Sequence, residues 1–502
     1  MHDGGSGSVE GLRIGWAEAD LTPDQPVLVS GQFHARVSEA VADPVTATAL
    51  AIESRRPDGP PAQAVLVGCD FVSIPDALRD DVRSRLRSVL PDLDPMAVFL
   101  NATHTHTGPE PRVHDDVLQA GGGTVAGWTG LDLPVMPPAQ YAAMAAERIA
   151  TAVIRAWQSR EPGRIGFGLG QAVIGYNRRM CYRGGEARMY GDPNDPDFTH
   201  IEGATDPSVN VLYTQDRAGR LTGVVVNVAC PAQVGEMDFQ ISADYWHETR
   251  RELRGRLGAD LHVLPQCSAA GDQVTAKSMI LIGWPAQERM WRLLGRTQRQ
   301  DIAARIADAV AAALPCAEKE MADNPLVVHR LVTVELPRRM VTQDEANEAT
   351  AAAENCRRQY ESLLADLDAH PKKRNEPRWY VPITKAYRQM RWNQRVVERF
   401  NTERDQPRVP IEAHVLRLGD VAIATNPFEY YLDYGLRIKA RSPAIQTFLV
   451  QLTGSGTYVP TERAVAGKGY GAVPASSPVG PEGGAELADR TVAMIRELWG
   501  LS

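Results

Sequence analysis

The chain opens with apolar positions in short runs, then shifts to helical spacing and back. Residues 12–17 and 48–52 read as short strands. The run Ala64-Val65-Leu66-Val67-Gly68-Cys69 is continuously apolar and ends in Asp70, as a buried strand with a polar tip does. From 75 to 90 the apolar spacing becomes helical. Ser73 can cap that helix, Pro75 suits its first turn and Pro91 stops it. Another apolar run, Met96-Ala97-Val98-Phe99-Leu100, predicts the next strand. Strand, helix, strand in this order predicts parallel pairing, with a site in the loops at the carboxyl ends of the strands.

Residues 113–137 are Gly-rich and read as a loop over that site. An Ala-rich helix is expected at 139–157, and a strand at 165–173 leads into Gly175-Tyr176-Asn177-Arg178-Arg179. A polar loop carries Asp192 to Asp197. Strands at 208–214 and 221–229 flank the turn Asp216-Arg217-Ala218-Gly219. A helix at 246–257, a strand at 261–264 and a long amphipathic helix at 296–314 follow. Residues 342–405 are charged, Gly-poor and helix-prone, which predicts a helical insertion. It is either a hairpin packed on the body or on a neighbouring subunit, or a lid whose Trp379, Tyr380, Tyr387 and Trp392 touch substrate. Strands resume at 412–418 and 421–425. The expected fold class is α/β, with mixed, layered sheets and flanking helices. Its organisation is a flexible start at 1–11, one domain from 12–341 and 406–502, and the insertion between.

Composition narrows the function. Of 502 residues 43% are hydrophobic and 23% charged, so the chain is globular rather than disordered. A net charge of −8 without a basic tract argues against a nucleic-acid partner. Six cysteines without a CxxC pair give no disulfide framework. The start, Met1-His2-Asp3-Gly4-Gly5-Ser6, lacks the regions of a signal peptide, and no apolar run approaches the ~20 residues of a membrane span. These features point to a cytoplasmic protein with a small-molecule partner and no integral membrane contact. The insertion offers a surface for a homo-oligomer.

The densest chemistry lies in Asn101-Ala102-Thr103-His104-Thr105-His106-Thr107-Gly108-Pro109-Glu110. Alternation along a strand sends residues two apart to one side, so His104 and His106 would share one spot. Neutral imidazole is the commonest metal ligand. By itself the pair also suits a Thr-rich surface turn.

The pair has company: Asn177-Arg178, Gly271-Asp272-Gln273, Asn426-Pro427-Phe428-Glu429 and Thr457-Tyr458-Val459-Pro460-Thr461 follow in this order. The series resembles the catalytic domain of the neutral/alkaline, non-lysosomal ceramidase family, from about Arg13 to about Ala472. That family consists of zinc-dependent amidases. The resemblance implies a ceramidase-like domain with one zinc ion, His104, Glu429 and Tyr458 as its ligands, and His106 and Arg178 as substrate contacts. Zinc accepts such nitrogen and oxygen donors and keeps one position for water or substrate. A tyrosine beside a dication can deprotonate or can hydrogen-bond a developing oxyanion. Taken singly, Glu429 also suits a helix start, ahead of a helix expected at 430–439.

The chain departs from the family at three places. The second histidine ligand is missing. Anchoring on Pro231 puts Cys230 at its position, where a thiolate would serve; a buried, inert thiol is the alternative. His247 is the other replacement candidate, and so is His34, near a further family histidine that reads as Ala42 here. The family's serine after Gly271-Asp272 is also absent, which leaves Asp272 and Thr275. Hydrolysis through a metal-activated water therefore fits better than covalent serine catalysis. In that scheme His106 and Tyr458 stabilise the oxyanion, Arg178 positions substrate and Asp272 orients a ligand from behind. The site loops hold few consecutive apolar residues, and the chain ends about thirty residues after Ala472, where secreted members carry a β-sandwich. Both features favour a small polar amide, ester or lactone over ceramide. A metal-dependent lyase or isomerase on a carbohydrate-like substrate and a non-catalytic binding relative are the competing readings.

Overall fold

The computed structural model describes residues 11–55, 61–112, 124–275 and 284–501. Most of the expected flexible start and part of the expected Gly-rich loop, 113–123, lie outside the described residues.

Two sheets lie back to back between layers of helix. The larger contains β1 (Gly11–Asp20), β2 (Thr46–Arg55), β3 (Ala62–Cys69), β4 (Val98–Ala102), β5 (Glu161–Gln171), β6 (Ser208–Asp216), β7 (Leu221–Val228) and β8 (His262–Cys267). Their order across the sheet is β8-β7-β6-β5-β1-β2-β3-β4. The outermost pairs, β3–β4 and β7–β8, are parallel, and the pairs between them are antiparallel. A smaller sheet runs β9 (Val327–Pro337), β10 (Arg408–Leu418), β11 (Val421–Thr425), β12 (Gln446–Val450).

Strand alternation assigns the layers. Ala47, Ala49, Ala51, Val65, Val67 and Cys69 point to one face of the larger sheet, under α1 (Asp76–Arg87), α2 (Pro138–Gln158), α3 (Tyr245–Leu257) and α4 (Gln298–Ala317). Leu50, Ile52 and Leu66 point the other way, onto Leu416, Ile423 and Phe448 of the smaller sheet. Two helices form a hairpin, α5 (Gln343–Ala369) and α6 (Val381–Thr402). The outer face of the smaller sheet is covered by α7 (Leu432–Arg441) and α8 (Pro481–Leu498). The result is the α/β class with layered mixed sheets and flanking helices. Each large apolar side chain buried between layers contributes about 1.5–3 kcal/mol. Among the described residues, no helix is long and apolar enough to cross a membrane.

Several local expectations shift. Helix α1 begins at Asp76, and its start is met by Ser455, whose hydroxyl accepts the Asp76 N–H at 2.9 Å, rather than by Ser73. Glu429 does not open a helix: Glu429–Tyr430 is a two-residue strand paired in parallel with Tyr458–Val459, and α7 starts later, at Leu432. Strands β9 and β12 and helix α8 had no counterpart in the sequence reading.

Candidate functional site

The parallel pair β3–β4 ends with Cys69 beside Ala102. Past that end the two chains still run together, with the Thr103 N–H on the Cys69 carbonyl at 2.9 Å and the Thr105 N–H on the Phe71 carbonyl at 3.1 Å. His104 and His106 therefore lie beyond the strand, and strand alternation is not what pairs them. His104 has φ 60, in the left-handed region that a residue with a side chain seldom adopts. This backbone turns its ring onto that of His106, edge to face at 4.9 Å between centroids, with the two Nε2 atoms 3.4 Å apart.

Each imidazole is oriented from behind. His104 Nδ1 lies 2.6 Å from the Val72 carbonyl oxygen, so it carries a proton and donates it there. Its Nε2 then points to Glu429 Oε2 at 3.2 Å. His106 Nδ1 lies 3.4 Å from Gln233 Nε2.

Glu429 and Tyr458 sit side by side because their two short strands pair in register. Gly271 makes this approach possible: a Cβ there would stand 2.3 Å from the Glu429 carbonyl oxygen. Arg178 completes the group, donating to the Tyr458 hydroxyl at 3.0 Å and to the Gly271 carbonyl at 2.8 Å. Burial would push the Glu429 carboxyl up, but His104, Arg178 and the Tyr458 hydroxyl together hold it below the ordinary carboxylate value. Burial, followed by the Glu429 charge, keeps the Tyr458 phenol neutral, with its pKa well above the ordinary value. Burial, His104, Arg36 and Arg178 hold His106 well below the ordinary imidazole value, so it is neutral.

These residues line a cavity of about 490 Å³, within the range of small-molecule sites. Its wall also carries Gln233, Glu236 and Tyr190, which were given no role from sequence. The Gln233 amide donates to Glu236 Oε2 at 3.2 Å, and the Tyr190 hydroxyl approaches the same oxygen at 3.4 Å. The only sequence signal for Gln233 and Glu236 was polar residues soon after the end of β7, and Tyr190 had none. Phe33, Trp392 and Tyr470 form an aromatic side, with Phe33 5.3 Å from Trp392 and 5.9 Å from Tyr470. The wall is thus more apolar than its loop sequences suggested, because these rings come from segments far apart in the chain.

The helical hairpin packs on the body of its own chain: the Tyr360 hydroxyl donates to the Gly130 carbonyl at 2.7 Å, and Thr384 accepts the Ala35 N–H at 3.0 Å. Of the four aromatic residues considered for a lid, Trp392 lines the cavity, together with Arg388 from the same helix. Tyr380 and Tyr387 instead pin the hairpin down, through Val37 N–H and the Gly127 carbonyl. Trp379 packs in the apolar cluster around Phe239.

His104, His106, Arg178, Glu429 and Tyr458 meet in one place; the other sequence candidates for the ion and its chemistry do not line the cavity. Cys230 is fully buried, its thiol against its neighbouring Pro231 carbonyl at 3.5 Å, and burial raises its pKa well above normal. His247 sits in the first turns of α3. His34 packs against Phe239, and burial followed by Arg36 brings its pKa down to about 4. Asp272 stands behind the cavity. Its carboxylate accepts Asn177 Nδ2 at 2.7 Å and the Leu432 N–H at 3.0 Å, and its carbonyl accepts the Arg178 N–H at 2.9 Å. It ties the Arg178 strand to the Glu429 segment. Thr275 is buried away from the cavity.

The arrangement offers three donors to a cation: His104 Nε2, the Glu429 carboxylate and the Tyr458 oxygen. A separation of 3.2 Å between the first two is the edge of a tetrahedron with bonds of about 2.0 Å, as zinc makes. Among the described residues no three His, Cys, Asp or Glu side chains form a ligand cluster, so a cation between His104 and Glu429 would need the phenol as its third protein donor. The donor types fit a divalent cation such as zinc.

Two back-to-back sheets flanked by helices, with a polar centre where strand ends converge, define the ceramidase fold. The chain superposes on the neutral ceramidase from Pseudomonas aeruginosa with a TM-score of 0.64 at 17% identity, over 98% of this chain and 75% of that one. A ceramidase complexed with C2 gives a TM-score of 0.64 at 16% identity, over 98% of this chain and 76% of that one. No protein-family model matches the sequence, and no curated protein matches it.

Proposed function

We propose that the protein is a metal-assisted hydrolase that cleaves an amide bond, or the corresponding ester or lactone bond, of a small substrate. The observation that carries this is the meeting of His104 Nε2 with Glu429 Oε2 at 3.2 Å, while Nδ1 is engaged by Val72. An imidazole nitrogen and a carboxylate oxygen at that separation are spaced as two ligands of one cation would be. His104, Glu429 and Tyr458 would hold a divalent ion, zinc by donor type. Such an ion, when bound, polarises a carbonyl group and makes water nucleophilic at neutral pH.

The chain's own residues supply the rest. Arg178 holds the Tyr458 oxygen in place and offers positive charge to a developing oxyanion. With its proton on Nε2, His106 would present a donor, the kind of preorganised dipole that stabilises a tetrahedral intermediate. Asp272 keeps Arg178 and the segment after Glu429 in register. The scissile group lies against this polar ring, and the remainder of the substrate lies on Phe33, Trp392 and Tyr470.

The test is hydrolysis of p-nitrophenyl acetate and N-acetyl-p-nitroanilide by the full chain, before and after chelation and after zinc is returned. Cleavage lost with the chelator and regained with zinc supports the proposal. A product of unchanged mass would favour an isomerase. No cleavage at any zinc loading overturns hydrolysis.

A further inference from the structure

We propose that Glu236 is a catalytic acid–base of this site, delivering the proton that the leaving nitrogen needs as the amide bond breaks; this rests on the hydrolase reading above. Nothing in the ligand set uses Glu236. It comes from the loop after β7, at the place where the sequence departs from the family pattern. Its carboxyl lines the same cavity as His104 and Glu429 and is part-exposed, so a bound molecule can reach it.

Geometry links it to the centre by a continuous arc. Glu429 and His104 are 3.2 Å apart, His104 and His106 3.4 Å, His106 and Gln233 3.4 Å, Gln233 and Glu236 3.2 Å, and Glu236 and Tyr190 3.4 Å. Both contacts to the Glu236 carboxyl fall on Oε2, which leaves Oε1 without a hydrogen-bond partner among the described residues. The backbone is fixed as well, since the Glu236 carbonyl accepts Arg36 at 2.9 Å and Gln32 at 3.1 Å. A carboxyl held at one oxygen, on an anchored loop, with the other oxygen free in a substrate-sized cavity, has the geometry of a proton donor.

Its electrostatics agree. Burial raises the Glu236 pKa, and Asp244 adds to this, while Arg178, the Tyr190 hydroxyl and Arg36 oppose it; the net direction is upward.

The step balances without a co-reactant. Water adds its oxygen to the carbonyl carbon and gives up one proton. The C–N bond breaks, its electron pair stays on nitrogen, and nitrogen takes the Glu236 proton. The carboxylate left behind takes up, through water in the cavity, the proton that the attacking water gave up, so Glu236 ends as it began. One water is consumed, and a carboxylic acid and an amine result.

The experiment compares wild type with Glu236→Gln and Glu236→Asp on the same two probes. The p-nitrophenolate of p-nitrophenyl acetate departs without a proton, whereas the anilide nitrogen needs one. Glu236→Gln should lower kcat on the anilide by about 10²–10⁴-fold, lower ester cleavage less than about tenfold, and abolish the alkaline fall of the anilide pH profile. Glu236→Asp should recover part of the loss. An infrared pH titration, wild type minus Glu236→Gln, should show the carboxyl band of Glu236 persisting to higher pH than that of an ordinary carboxyl. Equal losses on both probes, or none on either, would overturn the role of Glu236 and leave the hydrolase standing. A wild-type protein inert to both probes would overturn the hydrolase, and this role with it.

Discussion

His104 commits Nδ1 to the Val72 carbonyl at 2.6 Å and so turns Nε2 onto the Glu429 carboxylate at 3.2 Å. The left-handed backbone at His104 is what makes both contacts available to one ring. A strained residue at the end of a parallel strand pair, aimed at a carboxylate from a segment more than three hundred residues on, is a local cost that the proposed cation would offset.

Glu429→Gln tests the carboxylate directly. Glutamine keeps the size and removes the charge. Zinc affinity should fall at least about tenfold and kcat/KM by about 10² or more, with a thermal midpoint within a few degrees of wild type. Zinc titration, steady-state kinetics and a melting curve measure all three. A variant within threefold of wild type in activity would show that the carboxylate holds no cation.

Cys230→Ser separates the sequence expectation from the structure. The thiol is fully buried and lies off the cavity, so zinc retention should not change. Stability should drop by about 1–3 kcal/mol, because a hydroxyl is buried in place of a thiol. His247→Ala should leave zinc retention unchanged too. Loss of metal in either variant would return that residue to the ligand set.

Much of the site was legible because its chemistry is linear in the chain: His104 and His106 stand together, and Glu429 and Tyr458 sit in short recognisable turns. The means of convergence was not. Alternation correctly put the two imidazoles at one spot, but the cause is a left-handed residue beyond the strand, and backbone sign is not written in a histidine. The Pro231 anchor chose Cys230 because a thiol can bind zinc, whereas folding buries that thiol and brings Gln233 and Glu236 forward instead. Trp392 was considered for substrate contact only as part of a lid. Arg388 escaped notice, because its position depends on how the hairpin docks. The layers were readable from periodicity, yet β9, β12 and α8 were missed.

Gly130→Ala tests that docking. Gly130 has φ +76, and a Cβ there would stand 2.5 Å from the Tyr387 ring. The substitution should destabilise the fold by about 1–3 kcal/mol and shift α6. Because α6 carries Arg388 and Trp392, KM should rise several-fold while kcat changes less. A fall in kcat with KM unchanged would contradict a binding role for the hairpin.

Acid should weaken the fold before the carboxylates titrate. Burial, then His414 and Arg83, brings the His329 pKa down to about 3, and burial also lowers His414. Between that value and the ordinary 6.5 the unfolded chain binds more protons than the folded one, so stability falls as pH falls. From pH 7 to pH 5 His329 alone should cost about 1–2 kcal/mol. Urea unfolding at the two pH values, repeated on His329→Gln, should show a smaller loss in the variant. Equal stability at both pH values in wild type would refute the neutral buried histidines.

The central claim meets its most direct test in anomalous scattering at the zinc edge, from crystals of the full chain grown with zinc. The expected result is one peak within bonding distance of His104 Nε2, Glu429 and the Tyr458 oxygen. A map without a peak there, or with zinc bound only elsewhere, would contradict it.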